Sequence, residues 1–137
     1  MKTLKISAMT LLMTLTFVLS AKSQTVYNNT NNTVGYIRNE TIYNKTNNTI
    51  GHIRNGTVYN STNNTMGYIK DGTIYNSTHN TIGYYSSDGT VYNSTHNTIG
   101  YVKNETIYNS THNTIGYARG VPLEKAVSLF FFFNLLK

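Results

Sequence analysis

Thr90 to Glu105, TVYNSTHNTIGYVKNE, is the clearest copy of a unit of about sixteen residues that occurs six times between Thr25 and Val121. A unit this short cannot bury enough apolar surface to offset the conformational entropy that it loses on folding alone. Copies of the unit must therefore pack side by side and share a core. The repeat predicts an array of small, nearly identical modules.

One copy shows what each module is. In the stretch 66–76, MGYIKDGTIYN, an Asp-Gly pair at 71–72 separates two runs rich in β-branched and aromatic residues, which is a strong signal for a β-hairpin. A two-residue loop fixes the register, and the expected partners are Lys70 with Thr73, Ile69 with Ile74, Tyr68 with Tyr75 and Gly67 with Asn76. Because side chains alternate across a strand, each hairpin has an aliphatic face and a tyrosine face.

The other copies repeat this pattern. Aliphatic pairs are expected at Ile37–Ile42, Ile53–Val58 and Val102–Ile107, and tyrosine pairs at Tyr36–Tyr43 and Tyr101–Tyr108. The fourth copy has one extra residue, which suits a three-residue loop with Gly89 in the left-handed conformation and keeps Tyr84 opposite Tyr92. Glu40 and Glu105 stand where a turn favours glycine, so strained backbone is expected at both. A glycine inside every second strand suggests the close approach of a neighbouring strand or a sharp bend there.

Half-units remain at both ends of the array. Thr25-Val26-Tyr27 is a first half without a second, and the stretch 115–118 is a second half without a first. Pairing of these halves would close the sheet and remove its exposed edges, as in propellers. The sequence predicts an all-β closed ring, flower-like or propeller-like, of five or six hairpins. An open solenoid is the alternative, although the first repeat shows no capping features.

The tail departs from the repeats. Leu123 to Lys137, LEKAVSLFFFFNLLK, is the only helix-like segment beyond the N-terminal region, and Pro122 suits a first helical position. The segment is apolar nearly all round and too short to span a bilayer, so it needs a buried site. We expect a C-terminal hydrophobic helix packed along the ring axis against the aliphatic faces of the hairpins.

The N-terminal segment has the features of a secretory signal peptide: Lys2 and Lys5, then an apolar stretch from Ile6 to Leu19, then small residues before a cleavage site after Ser23. The expected division of the chain is a signal peptide at 1–23, a ring of hairpin repeats at 24–120 and the C-terminal helix at 121–137. Export to the periplasm, the cell surface or the medium is expected. Cleavage would lower the net charge from +6 to +3, which argues against nucleic acid as a partner. The chain has no cysteine, so closure and a shared core must supply its stability.

Several of these features together resemble a known family. The recurrent TVYN and TIGY segments, the IKDG-like turns and the ending GYARGV at 116–121 before a phenylalanine-rich tail are similar to those of the five-fold beta-flower proteins, small exported proteins of Bacteroidota. The resemblance covers the repeats and the tail. It implies a ring of radiating hairpins around a C-terminal hydrophobic helix, and it implies no established activity.

Two groups of residues are candidates for binding. Tyrosine faces can stack on sugars or on a partner protein, although cross-strand tyrosine pairs also stabilise sheets. The candidate tyrosines are Tyr36, Tyr43, Tyr68, Tyr75, Tyr84, Tyr92, Tyr101 and Tyr108. A basic circle beside the turns could attract anions, although charges also protect sheet edges from aggregation. Its members are Arg38, Arg54, Lys70, Lys103 and Arg119.

The sequence offers little for catalysis. His79, His96 and His112 occupy one position in three successive connectors and are weak candidates for a metal, because Asn and His both suit turns and neighbouring connectors should not converge. We find no nucleophile with its base, no paired carboxylates and no phosphate loop, so neither catalytic residues nor a cofactor are expected. The Asn-x-Thr sequons follow the turns and are most simply turn chemistry.

These observations favour an exported, non-catalytic structural or binding module. Its partner is not identified by the sequence; a glycan or an envelope protein is possible, and so is an oligomer. One alternative is a self-assembling surface or adhesion protein built from stacked Asn/Thr-rich strands. Another is an ice-binding protein that uses regularly spaced threonines such as Thr73, Thr78 and Thr81, and a further one is a membrane-active role for the phenylalanine-rich tail.

Overall fold

A computed structural model describes residues 24–137, and the expected signal peptide at 1–23 lies outside the described residues. The repeats form twelve antiparallel strands, each paired with its neighbours in sequence. They are β1 (Gln24–Asn28), β2 (Thr33–Arg38), β3 (Thr41–Asn44), β4 (Thr49–Arg54), β5 (Thr57–Asn60), β6 (Thr65–Lys70), β7 (Thr73–Asn76), β8 (Thr81–Tyr85), β9 (Thr90–Asn93), β10 (Thr98–Lys103), β11 (Thr106–Asn109) and β12 (Thr114–Arg119).

The two ends of the repeat array close the sheet. Strand β1 pairs with β12, with Val26 opposite Ala118 and Tyr27 opposite Tyr117. This register matches that of the β2–β3 hairpin. The ring therefore holds six equivalent strand pairs, of which five are joined by a short turn and the sixth is made by the two orphan halves. The predicted closed ring is confirmed, and the open solenoid is wrong.

The hairpin registers are also as predicted. Ile69 lies opposite Ile74 and Tyr68 opposite Tyr75, and the other copies follow the same scheme. The longer loop of the fourth copy keeps Tyr84 opposite Tyr92, with Gly89 at φ 88°. A two-residue turn leaves no freedom in the pairing, because a slip by one residue would move every aliphatic side chain to the solvent face.

The two strained turns behave differently. Glu105 takes the left-handed conformation, with φ 64°, and its carboxylate accepts the N–H of Gly120 at 2.8 Å. Glu40 does not have a positive φ, so only Asn39 of that turn is left-handed. The expectation of strain holds at Glu105 and is wrong at Glu40.

The ring has two unlike ends. The turn end carries the short hairpin turns and both ends of the strand array, and the connector end carries six Asn-rich loops. In each loop the first asparagine folds the backbone around its side chain. The carboxamide oxygen of Asn76 accepts the N–H of Thr78 at 3.0 Å, the hydroxyl of Thr78 at 2.9 Å and the N–H of Asn80 at 2.9 Å. The Asn-x-Thr spacing is thus explained by turn geometry.

Asn76→Ala should destabilise the protein by about 1–2 kcal/mol, because one substitution leaves three donors of the loop without their acceptor. Urea unfolding of the two proteins measures the difference. Asn76→Asp keeps an acceptor at the same position and should remain close to wild type. Equal losses in the two variants would contradict this role of the carboxamide oxygen.

Asp88 holds the long loop of the fourth copy together. Its carboxylate accepts the Ser86 hydroxyl and the Thr90 N–H, the latter at 2.9 Å. The Ser86 hydroxyl is the main cause that lowers the pKa of Asp88 from 3.8 to about 2, and the Thr90 N–H comes next.

The pH dependence of stability should reveal this carboxylate. A depressed folded pKa stabilises the protein above the unfolded pKa, and this contribution is lost as the pH falls from about 4 through about 2. Asp88→Asn should therefore be less stable than wild type at pH 7, and the gap should close by pH 2. A gap of constant size in urea melts at both pH values would show that the charge is not responsible.

The interior is filled by aliphatic side chains and by the tail. Six residues of the odd-numbered strands are fully buried, namely Val26, Ile42, Val58, Ile74, Val91 and Ile107. The tail forms an α-helix, α1 (Leu123–Val127), followed by a π-helical segment at Ser128–Phe132. Val127, Ser128 and Leu129 are buried inside the ring. The axial position of the tail is confirmed, but its α-helix, Leu123–Val127, is shorter than the C-terminal helix predicted at 121–137.

The last residues of the tail fan out toward the wall of the ring. Each of six side chains lies against the glycine of one even-numbered strand, in order around the ring. The pairs are Phe130 with Gly116, Phe131 with Gly100, Phe132 with Gly83, Phe133 with Gly67, Leu135 with Gly51 and Leu136 with Gly35. Asn134 lies between the fourth and fifth of these residues, is exposed and has φ 45°. The next side chain to meet a strand glycine is therefore that of Leu135. The carbonyl oxygen of a neighbouring strand also lies close to each of these glycines, as the sequence suggested, whereas their contact with the tail was not predicted.

Candidate functional site

Aromatic side chains form a belt around the outside of the ring. Because alternate residues of a strand point to opposite faces, the buried aliphatic pairs place the neighbouring tyrosine pairs outside. Every ring in these pairs is half-buried. The belt, called the tyrosine belt below, consists of Tyr27–Tyr117, Tyr36–Tyr43, His52–Tyr59, Tyr68–Tyr75, Tyr84–Tyr92 and Tyr101–Tyr108. All eight candidate tyrosines lie in it.

Arginine side chains cover part of the belt. The Arg38 guanidinium carbon lies 5.3 Å from the ring centre of Tyr36 and 5.2 Å from that of Tyr43, and Arg119 lies 4.8 Å from that of Tyr27. Arg54 covers Tyr59 at 5.6 Å. At these distances the guanidinium charge is attracted to the faces of the tyrosine rings.

The three histidines cover other tyrosines. His79 stacks on Tyr68 with ring centres 4.2 Å apart, and the other two stacks, His96 on Tyr84 and His112 on Tyr101, measure 4.3 Å. All three have φ of 63–64°, which is the turn conformation expected for Asn or His. Among residues 24–137, no group of three His, Cys, Asp or Glu side chains converges on a metal position. The histidines are ring partners of the belt.

Two halves of the belt differ in how they are covered. The arginine half comprises the pairs β12–β1, β2–β3 and β4–β5, where the left-handed connector residue is Asn31, Asn47 or Asn63. The histidine half comprises β6–β7, β8–β9 and β10–β11, where that residue is histidine. The arginine half has four cations and one anion (Arg38, Lys45, Arg54, Arg119; Glu40), whereas the histidine half has two cations and three anions (Lys70, Lys103; Asp71, Asp88, Glu105).

The predicted basic circle is therefore uneven. Its five members do occupy one strand position beside the turns, but Ser86 stands at the sixth position. Lys103 lies 5.3 Å from the ring centre of Tyr101, and no such contact is formed by Lys70 within residues 24–137. Positive charge is concentrated on one side of the ring.

Sequence reasoning left three tyrosines and one histidine out of the candidate set. Tyr27 and Tyr117 pair only because the ends of the array meet, and Tyr59 pairs with His52. The orphan halves at both ends already carried the signal for the first pair. Applying the hairpin register to the closing pair would have completed the belt.

Tyr85 is the one tyrosine outside the belt. It stands at the inward position that holds isoleucine in the three preceding copies, and it lies opposite Val91. Burial is the main cause that raises its pKa, and the carboxylates of Glu124 and Asp71 raise it further. It lines a cleft of about 300 Å³ at the turn end.

A second cleft lies at the turn end. It measures about 410 Å³ and its ionisable side chains, Asp88, Lys103 and Glu105, are all exposed. Asp88 is ionised at neutral pH, as an aspartate with an ordinary pKa would be, and its lowered pKa of about 2 keeps it ionised in more acidic solution. At the connector end an apolar cleft of about 330 Å³ lies beside Phe130 and Leu136.

Comparisons with known proteins bear on the fold. Within residues 24–137, neither helical segment of the tail has the length and hydropathy needed to cross a bilayer. Neither the curated proteins nor the solved structures include a significant match. A sequence model described as 5-fold beta-flower protein matches residues 23–134, which span the whole ring and most of the tail. With its closed array of hairpin repeats around an axial tail, this chain belongs to the 5-fold beta-flower protein family.

Proposed function

We propose that this protein is an exported, non-catalytic module that binds polysaccharides through the tyrosine belt. The observation that supports the proposal is the belt itself, because eleven of the twelve tyrosines lie on one continuous outer surface. Sheet stability alone does not require an outward aromatic residue on each of the twelve described strands. Tyrosine combines a flat apolar face with a polar hydroxyl, which suits the CH faces and hydroxyls of sugars. The family's description names a fold and no reaction.

The histidine half offers the most open rings. Tyr75, Tyr92 and Tyr108 lie on β7, β9 and β11, so they recur on every second strand. Within residues 24–137, no histidine or cation stacks on these three rings, whereas Tyr68, Tyr84 and Tyr101 are covered. Three regularly spaced open rings suit a polymer of repeating sugar units.

The alternatives have less physical support. Assembly by strand stacking needs a free sheet edge, and each of the twelve described strands has two neighbours. Ice binding needs free hydroxyls on a flat face, but the Thr78 hydroxyl donates to Asn76 and accepts from Asn80. The surface of a closed ring is also curved.

Affinity gel electrophoresis with a panel of neutral and acidic polysaccharides tests the proposal. The mature chain should be retarded by at least one polymer, and the triple variant Tyr75→Ser, Tyr92→Ser, Tyr108→Ser should lose about tenfold or more in affinity for a neutral one. Tyr85→Phe is the matched control, because this tyrosine points inward, and it should bind as wild type does. Circular dichroism checks that each variant is folded. No retardation by any polymer would refute the proposal.

A further inference from the structure

We infer that Arg38 and Arg119, on adjacent strand pairs of the arginine half, form a binding site for the carboxylate groups of an acidic polysaccharide. The site consists of these two guanidinium groups and the rings of Tyr27, Tyr36 and Tyr43 beneath them. The inference rests on the proposed function and names the class of sugar that one half of the belt selects.

Both guanidinium groups are held in place before any ligand arrives. Arg38 donates from one terminal nitrogen to the carboxamide oxygen of Asn47 at 3.1 Å, and Arg119 donates to that of Asn31 at 3.4 Å. Each guanidinium also lies over a tyrosine ring, so a hydrogen bond and a cation–π contact together restrict its position. A guanidinium has five N–H donors in a rigid fork, and the remaining donors face solvent because both side chains are exposed. Prior fixing lowers the entropy lost on binding.

The third arginine of the same half indicates which anion fits. Arg54 likewise lies over Tyr59, and its Nε lies 3.8 Å from a carboxylate oxygen of Glu40. A carboxylate of the chain itself is thus at ion-pair distance from that guanidinium. Among residues 24–137, neither Arg38 nor Arg119 has such an ion pair. Two of three equivalent positions are open to a carboxylate from outside.

The surroundings favour a sugar acid over other anions. A uronic acid carries its carboxylate on a ring with apolar CH faces, so one residue can contact tyrosine and guanidinium together. The two sites lie on adjacent strand pairs, since β1 pairs with both β12 and β2. A polymer of uronic acids can therefore contact both through successive units. The excess of positive charge on this half assists its approach.

Isothermal titration of the mature chain with polygalacturonate, dextran sulfate and neutral dextran tests the inference. The double variant Arg38→Gln, Arg119→Gln should lose about tenfold or more in affinity for polygalacturonate, because charge-assisted bidentate bonds are lost. The matched control Lys70→Gln, Lys103→Gln removes the same charge from the other half and should lose no more than about threefold. Arg38→Lys with Arg119→Lys keeps the charge without the fork and should behave like the glutamine pair.

The outcomes separate this site from the proposed function. Equal losses in the arginine and lysine variants would overturn the inference, because they would indicate a general effect of net charge. Stronger binding of dextran sulfate than of polygalacturonate would overturn the assignment to carboxylates. Binding of neutral polymer through Tyr75, Tyr92 and Tyr108 without binding of polygalacturonate would refute the acidic site alone. Failure of every polymer to bind would refute both proposals.

Discussion

Gly67→Ala is expected to lower the free energy of unfolding by about 3 kcal/mol or more, which is at the upper end of the range for overpacked sites. A Cβ at this position would lie 2.6 Å from Cε1 and Cζ of Phe133 and in closer contact still with the Tyr75 carbonyl oxygen. Carbon atoms that do not bond need about 3.5 Å. Neither neighbour can yield easily, because one is backbone in the next strand and the other is a ring packed in the core.

Thermal and urea unfolding measure this effect. Ser77→Ala is a suitable control, because it also changes one small residue of the same module but lies on an exposed connector. The control should stay within about 0.5 kcal/mol of wild type. Wild-type stability in Gly67→Ala would show that the ring wall and the tail do not approach each other as closely as described.

A double variant separates the two contacts of this glycine. In Gly67→Ala with Phe133→Ala the Phe133 ring is removed, so the new methyl group loses that contact and keeps the one with the Tyr75 carbonyl. Phe133→Ala alone should cost about 3–4 kcal/mol because it leaves a cavity at a residue that is 6% exposed. The double variant should be more stable than the two separate losses predict, and the difference measures the contact between wall and tail.

The spacing of the strand pairs explains why the tail departs from a regular α-helix. Six equivalent strand pairs are spaced by about 60° around the axis, whereas an α-helix turns by about 100° per residue. Consecutive side chains that must meet consecutive strand pairs therefore need a backbone that turns more slowly. A π-helix closes its bonds over five residues, as Phe133 N–H does to the Ser128 carbonyl at 2.9 Å, and so turns less per residue.

The sequence predicts the ring well because its signals are local. The Asp71-Gly72 turn fixes the register of its hairpin, and each copy repeats the pattern with one tolerated insertion. The closing pair could also be predicted, since Tyr27 and Tyr117 belong to complementary halves of one unit. Local rules are enough to predict a strand's pairing wherever its partner strand lies a few residues away or is the matching half of another copy of the repeat.

The covering of the belt could not be predicted in this way. The contacts of Arg38 with Asn47, and of His79 with Tyr68, depend on connectors that bend back over the outer face of their own hairpin. The repeat pattern shows that Asn47 and His79 are equivalent, but not what lies beside them. The C-terminal helix expected at 121–137 proved shorter for a related reason, because the spacing of the strand pairs determines the path of the tail.

Deletion of Leu123 to Lys137 is expected to prevent the ring from folding as a monomer. The deletion removes the side chains that fill the axis, including Val127, Leu129 and Phe133, which are at most 6% exposed. Burial of one large apolar side chain contributes about 1.5–3 kcal/mol, whereas a small domain has a total stability of about 5–15 kcal/mol. Several such losses together exceed the total stability of a small domain. The aliphatic inner faces of the ring would then be exposed to water.

Circular dichroism, dye binding to exposed apolar surface and size-exclusion chromatography measure the outcome. Removal of Lys137 alone is the control, since this residue is exposed, and it should leave stability unchanged. Truncation after Phe133 removes Leu135 and Leu136, the partners of two strand glycines, and should give a folded ring of intermediate stability. A monomeric, fully folded chain ending at Pro122 would show that the twelve strands stabilise the ring by themselves. Because hairpins of this size hold only small cores of their own, we expect the six-way contact between tail and wall to decide whether the sheet closes.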